Sequence, residues 1–271
     1  MYRFFVEPGQ VHMEEKQIVI TGSDVNHMRN VLRMKPGEEI SVSDESGREY
    51  TCTLKELGTE QITAQILYVQ ESGLELPARI SLYQGLPKSD KMEWIIQKTV
   101  ELGVAEIIPV ATKRAVVKLD AKKEESKRKR WQGVAESAAK QSKRLMIPQV
   151  HPVMDFRSAV DRAALTDVPL IPYEMAGDME KTRQLFGRIR PGTTAAIFIG
   201  PEGGFTPEEV EYALSKGVLP ITLGKRILRT ETAGMTVLSI LMYLLEGQKD
   251  PAENVKDGKP GKDESDGSIS G

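Results

Sequence analysis

One cysteine, Cys52, stands among 271 residues. A lone thiol excludes an intramolecular disulfide and a cysteine-built zinc site, and it fits a reducing cytoplasm, the expected location of the chain. Histidine is nearly as scarce. His12, His27 and His151 lie far apart without metal-ligand spacing, so no metal is expected. No long apolar run occurs, so no membrane span is expected. The start, MYRFFVEPGQ, lacks a basic segment followed by a long apolar one and does not read as a signal peptide. No repeat of solenoid period is found. What remains, 39% hydrophobic and 28% charged, is the composition of an ordinary soluble protein. Its length allows two domains and a substantial core.

The net charge of −2 hides an asymmetry. Residues 1–72 carry 7 Lys/Arg against 12 Asp/Glu, whereas residues 79–150 carry 16 against 8. A basic middle third in an acidic protein points to a polyanion partner drawn to one region. Within it, residues 122–144 hold 9 Lys/Arg and 3 Asp/Glu. Such a run is either a solvated helix face or a phosphate-binding surface.

The first seventy residues read as short strands: QIVIT (17–21), EISVSD (39–44), EYTCTLKEL (49–57) and QITAQILYV (61–69). Between the first two, SDVNHMRNVLRM reads as a short helix capped by Ser23 or Asp24, with Val25, Met28, Val31 and Leu32 on one face. Close-spaced short strands predict a small β-barrel over 1–72, followed by a linker at 73–78. From residue 79 the rhythm becomes strand then helix: RISLYQGL, DKMEWIIQKTVELGV stopped by Gly103, EIIPVAT, EESKRKRWQGVAESAAKQSKRL, VPLIPYE, AAIFIG, TPEEVEYALSKG, PITLG and TAGMTVLSILMYLLEG. That alternation predicts an α/β domain with a mainly parallel sheet over 79–248. The tail at 249–271 has almost no apolar residues and is expected to be disordered.

Two glycine turns carry the chemical signal. In FIGPEGGFTP (198–207) an apolar strand ends at Gly200, and Gly203 and Gly204 permit positive φ or close backbone approach. Thr206 then reads as an N-cap, Pro207 as the first helical residue and Glu209 as the capping-box partner. Glycines at the carboxyl end of a strand sit where open α/β sheets bind ligands. The turn matches neither a P-loop nor a dinucleotide fingerprint, and Glu202, Glu208 and Glu209 would repel phosphate. It is either a bare strand–helix turn or a site for a neutral or cationic ligand. ITLGKRILRTETAG (221–234) repeats the theme at Gly224, with Lys225, Arg226, Arg229 and Glu231 placed before a helix that is apolar nearly all round. Basic residues also follow two other strands, in QGLPKSDK and TKRAVVK, which puts them on one rim of the sheet.

Taken together, QGLPKSDKMEWIIQKTVELGV, AESAAKQSKR, IGPEGGFTPEEVE and LGKRILRTETA resemble the RsmE family, SPOUT-class methyltransferases acting on N3 of a uridine in 16S ribosomal RNA. The resemblance spans residues 1–247. It implies an N-terminal PUA-like β-barrel, a C-terminal α/β-knot (trefoil knot) domain, S-adenosylmethionine (SAM) in the knot, and a homodimer packed through the last helix. It also implies 16S ribosomal RNA of the small ribosomal subunit as partner. Carried onto this chain, it places the cofactor on Pro172, Gly200, Pro201, Glu202, Gly203, Gly204, Leu223, Gly224, Ile227, Leu228 and Arg229. Arg3, Arg29 and Arg33 become RNA-binding candidates, joined by the rim and basic-helix residues Lys88, Lys91, Arg114, Lys118, Lys140, Gln141 and Arg144.

A sulfonium methyl is already electrophilic, so the enzyme's work is alignment with N3 and removal of its proton. Arg229 is a candidate to stabilise charge on the uracil oxygens, and Glu202 or Glu231 to accept the proton or orient Arg229. Two other readings stay open: a SPOUT enzyme for another RNA base, and a non-catalytic RNA-binding module.

Overall fold

A computed structural model describes residues 1–44, 46–71, 73–173 and 178–246. The expected disordered tail at 249–271 lies outside them, as does Glu174 of the expected strand VPLIPYE.

The N-terminal region folds as expected from its alternation. Strands β1 (Tyr2–Phe5), β2 (Val11–His12), β3 (Gln17–Thr21), β4 (Glu39–Ser43), β5 (Arg48–Leu57) and β6 (Gln61–Glu71) form one sheet in the order β1-β4-β5-β6-β3-β2. Only β1–β4 is parallel. No ladder joins β1 to β2 among the described residues, so the sheet is a curled half-barrel. Ile18, Ile20, Ile40, Val42, Leu54 and Ile62 fill it, each 1% exposed or less. Cys52 lies in the same core, and burial pushes its thiol up to about 12. The helix between β3 and β4 departs from expectation. Gly22, not Ser23 or Asp24, caps α1 (Ser23–Asn26), which runs into a π turn at His27–Val31. The wider turn pairs Leu32 N–H with the His27 carbonyl and rotates Val31 off the buried face, leaving it 62% exposed.

The second region alternates as predicted: β7 (Arg79–Gly85), α2 (Lys91–Glu101), β8 (Glu106–Ala111), α3 (Ala121–Gln141), β9 (Gln149–Val150), β10 (Met154–Asp155), α4 (Phe156–Ala163), β11 (Val168–Pro172), α5 (Met179–Phe186), β12 (Thr194–Ile199), α6 (Pro207–Ser215), β13 (Leu219–Ile221) and α7 (Thr230–Leu245). The strand path is β10-β8-β7-β12-β11-β13, with β9 also on β8, and every ladder is parallel. A parallel sheet must bury both faces. One face packs on α2, α3, α5 and α7 through residues such as Ile95, Trp131, Phe186 and Val237, the other on α4 and α6 through Phe156, Val160 and Ala213. The chain works outward from β7 to β10, then returns to lay β12 against β7, so the order reverses at the β7–β12 pair. That reversal, at the strands' carboxyl ends, is where a ligand site belongs in such a sheet. No helix of the described residues is long and apolar enough to cross a membrane.

The two regions are joined by more than a linker. Glu75, inside the expected linker, accepts from Arg144 and from the backbone N–H of Leu145. Leu76 packs beneath Gly103 and would meet a Cβ there at 2.7 Å. From the half-barrel, Arg3 pairs with Glu49 and donates to the carbonyls of Lys143 and Arg144, and Ser43 Oγ donates to the Leu145 carbonyl.

Candidate active site

The loops after β11, β12 and β13 enclose a cavity of about 720 Å³, a volume suited to a small molecule. Its wall holds Pro172 and Tyr173, the whole 199–205 turn, the 222–229 loop and the start of α7. Local chemistry builds the first turn as anticipated. Thr206 Oγ1 accepts from the Glu209 N–H, and Glu209 reaches back to the Thr206 N–H, with Pro207 opening α6. The other Glu209 oxygen accepts from the Lys113 N–H, so the capping residue also ties down the loop after β8.

The glycines serve in two different ways. Gly204 and Gly224 lie at φ +66° and +106°, and nothing stands within 4 Å of a Cβ at either, so the backbone conformation alone selects glycine. Gly85 and Gly200 are demanded by crowding. A Cβ at Gly85 would sit 2.6 Å from Pro201 Cδ, and one at Gly200 3.1 Å from Gly204 Cα. The end of β7 is thereby pressed against the turn after β12.

Thr230, the first residue of α7, locks this junction. Its hydroxyl donates to the Gly200 carbonyl (2.7 Å) and accepts from Gln84 Nε2 (2.9 Å) on β7. Neither residue was singled out as a site residue from the sequence. The available signal was a polar glutamine inside the apolar strand RISLYQGL, and a threonine heading an apolar helix.

At the mouth, Lys91 Nζ stands 2.9 Å from Glu202 Oε1 and 3.4 Å from Glu231 Oε2. Glu202 also accepts from the Lys88 N–H. Burial raises the Glu202 carboxyl, but hydrogen bonds from Lys91 and backbone amides, with the Lys91 charge, bring it below the ordinary carboxylate range. The same hydrogen bond raises Lys91. Glu231 Oε2 is buried with no hydrogen-bond partner among the described residues.

All eleven residues expected around a cofactor line this cavity. The three expected catalytic residues are brought together too: Glu202 and Arg229 in the wall, and Glu231 on Lys91. Arg229 caps α7 and is exposed; its guanidinium makes no hydrogen bond or ion pair among the described residues.

The residues expected to meet RNA divide. Lys88, Lys118, Gln141 and Arg33 are exposed, and Arg29 is half-buried. Lys91 and Arg114 belong to the cavity instead. Arg114 donates to the Gly203 carbonyl, and Lys91 is engaged by the two carboxylates. Arg3 and Arg144 depart from expectation: their side chains are 6% and 4% exposed and sit in the joint between the two regions. Arg144 donates to the Val100 and Val104 carbonyls besides pairing with Glu75. A buried guanidinium needs its donors met; the joint meets them at Nε, Nη1 and Nη2 of Arg144 and at both Nη of Arg3, and leaves Arg3 Nε without a partner among the described residues. Lys140 is also held there, between Asp24 and Glu136.

The cavity's makeup fits SAM. Backbone groups of three loops face it, Ile199, Leu223, Ile227 and Leu228 give an apolar surface for a base, and the anionic Glu202 complements a sulfonium.

Comparison with known proteins agrees. A family model described as "RNA methyltransferase domain" matches residues 74–242, and one described as "RNA methyltransferase PUA domain" matches residues 20–67. The ribosomal RNA small subunit methyltransferase E of Bacillus subtilis is 37% identical over 250 residues, covering 91% of this chain and 98% of that protein. The chain belongs to the RsmE family. The Synechocystis protein of the same name is 33% identical, over 90% of this chain and 78% of its own length. The crystal structure of the Neisseria gonorrhoeae member, bound to S-adenosyl methionine, superposes with a TM-score of 0.77 at 32% identity, over 90% of this chain and 98% of that one. The half-barrel is thus the PUA domain of an RsmE-family protein, the parallel sheet its SPOUT methyltransferase domain, and SAM its methyl donor.

Proposed function

We propose that this chain methylates N3 of a specific uridine in 16S ribosomal RNA of the small ribosomal subunit, acting as a cytoplasmic homodimer. Support comes from the family and from one observation above the rest: a cavity at the sheet's switch point whose mouth carries a fixed anion, Glu202. When bound, SAM supplies an electrophilic methyl whose transfer leaves the C–S electron pair on sulfur. The chain's residues do the remainder. Backbone of the 200–204 and 223–229 loops, which line the cavity, would hold the donor's adenine and methionine ends. Glu202 lies below the ordinary carboxylate range and is a poor base, so it serves as the charge facing the sulfonium. Glu231, whose Oε2 is held by Lys91 and whose Oε1 accepts no hydrogen bond among the described residues, accepts the N3 proton. Arg229, unengaged, is placed to stabilise negative charge on the uracil oxygens. Lys88, Lys118, Gln141 and Arg33 are the exposed residues of the RNA face.

A homodimer is supported by the outer face of α7, where Ile240, Tyr243 and Leu244 are 37%, 81% and 38% exposed. Apolar surface of that kind calls for a partner.

Mass mapping of 16S RNA from a deletion strain, with and without the restored gene, tests the reading. Loss of one N3-methyluridine on deletion and its return on complementation is expected. Persistence of every N3-methyluridine would refute it. Calorimetry with SAM separates it from a non-catalytic RNA-binding module, which would show no cofactor binding.

A further inference from the structure

Lys91 stands where three elements meet. It is the first residue of α2, Glu202 belongs to the turn after β12, and Glu231 lies in the first turn of α7. No other cation bonds either carboxylate among the described residues. Of the charged groups nearby, Arg114 donates from Nη1 to the Gly203 carbonyl and pairs with neither carboxylate among the described residues, while Lys88 meets Glu202 through its backbone N–H. Lys225, Arg226 and Arg229 line the cavity and form no ion pair with either carboxylate among the described residues, and Asp90 is exposed. Two carboxylates converging on one point repel each other, and without an intervening cation one of them would take up a proton. Lys91 hydrogen-bonds Glu202 Oε1 at 2.9 Å and ion-pairs at 3.4 Å with Glu231 Oε2, a buried oxygen with no other partner among the described residues. The two carboxylates are thereby made unequal: Glu202 accepts from Lys91 and from the Lys88 N–H, whereas Glu231 places Oε2 on Lys91 and its Oε1 accepts no hydrogen bond among the described residues.

We infer that Lys91 is a positioning residue for methyl transfer, holding Glu202 and Glu231 side by side as anions, with Glu231 gripped at Oε2 so that Oε1 is presented to the substrate's acidic N–H. This rests on the function proposed above and deepens it. In the step concerned, the N3–H bond breaks and an O–H bond forms on Glu231, and the N3 electron pair becomes available to the methyl carbon. Lys91 keeps its protons throughout. It touches no reacting atom and acts through the carboxylates.

The experiment compares wild type, Lys91→Met and Lys91→Arg in single-turnover methyl transfer to 16S RNA across pH 5–9, with SAM binding measured by calorimetry. For Lys91→Met, the rate at neutral pH is expected to fall by about 10- to 100-fold, as for a displaced general base. The acidic limb of its pH profile should move to higher pH by about one unit, as expected once two carboxylates face each other without the cation. Lys91→Arg should restore most of the rate and return the limb. Thermal melts of all three proteins check folding. Should Lys91→Met prove unfolded, Glu202→Gln, which removes the facing charge and leaves Lys91 to Glu231 alone, reads the same coupling and should move the limb to lower pH. Limbs that coincide with wild type in every folded variant would overturn the role of Lys91. A wild-type protein that binds SAM but leaves uridine N3 unmethylated overturns the function above, and this inference with it.

Discussion

Gly85 and Gly204 belong to one site yet exclude side chains for different reasons, and substitution separates them. A Cβ at Gly204 meets nothing, so Gly204→Ala pays only for the left-handed backbone, about 1–2 kcal/mol. Gly204→Val adds β-branching at positive φ and should abolish measurable SAM binding by calorimetry while the protein still melts cooperatively. At Gly85 a single methyl strikes Pro201 at 2.6 Å and its nitrogen at 2.7 Å. Gly85→Ala must push β7 and the cofactor turn apart, so it should weaken SAM binding more than Gly204→Ala does; the reverse ranking would show that crowding is not what shapes the turn.

A second residue-scale prediction concerns acid stability. Glu106, on β8 away from the cavity, lies 2.7 Å from His151 Nε2, 2.9 Å from Arg162 and 2.7 Å from Ser81 Oγ. Burial would raise its carboxyl; the contacts with His151 and Ser81 and the charge of Arg162 outweigh that and bring it to about 2. Because the folded value lies below the unfolded one, this stabilisation is complete above the ordinary glutamate range and disappears as pH falls toward 2. It amounts to about 2–3 kcal/mol. Urea melts between pH 7 and pH 3 should show Glu106→Gln less stable at pH 7 and less sensitive to acid than wild type. Parallel pH dependences would remove Glu106 from the account.

Among the elements, α6 was the most legible in sequence. Its cap, first-turn proline and capping box depend on residues within three positions of each other, and all three stand as read. Gly103, at φ +91°, stops α2 as read, but the start of α2 and both ends of α3 were less legible. Asp90 flanks α2 without a side-chain cap, Ser89 sits at φ +58°, and α3 runs from Ala121 to Gln141 under an Asp120 cap, starting before the expected segment and stopping short of it. Its basic run is largely a solvated face: Lys123, Lys129 and Arg130 pair with Asp120, Glu125 and Glu93. Helices α4 and α5 and strand β1 were not anticipated, being short and without a long periodic stretch. For α7, the exposed Tyr243 and Leu244 carry the dimer proposal. Tyr243→Glu with Leu244→Glu should give a monomer by light scattering at micromolar concentration, with the fold retained; an unchanged mass would place any partner elsewhere.

At the scale of the whole molecule, the joint decides which basic residues can serve RNA. Arg144 closes it through Glu75 and two carbonyls, and Arg3 through Glu49 and two more. Arg144→Met leaves a carboxylate and two carbonyls without that donor. It should destabilise the protein by about 3 kcal/mol or more, a drop in Tm on the order of 10 °C. The salt dependence of RNA binding should be unchanged in the same protein below its melting range. Lys88→Ala with Lys118→Ala should do the opposite, leaving Tm in place and flattening the slope of log Kd against log salt by about one for each phosphate no longer neutralised. A flattened slope in Arg144→Met would return that residue to the RNA face.

By itself, the sequence determined what short-range chemistry controls: the alternation of the strands, the α/β rhythm, the glycine turns at strand ends and the α6 cap. Its motifs also carried the family resemblance, and with it the donor and the eleven cavity residues. Tertiary structure alone decided which charges meet. Lys91 finds Glu202 and Glu231 across more than a hundred positions, Arg144 finds Glu75, and Arg3 finds Glu49. A lysine near a strand end reads the same whether it faces phosphate or a carboxylate. Burial and partner separate the two, and both are set by how distant segments pack rather than by the residues beside them.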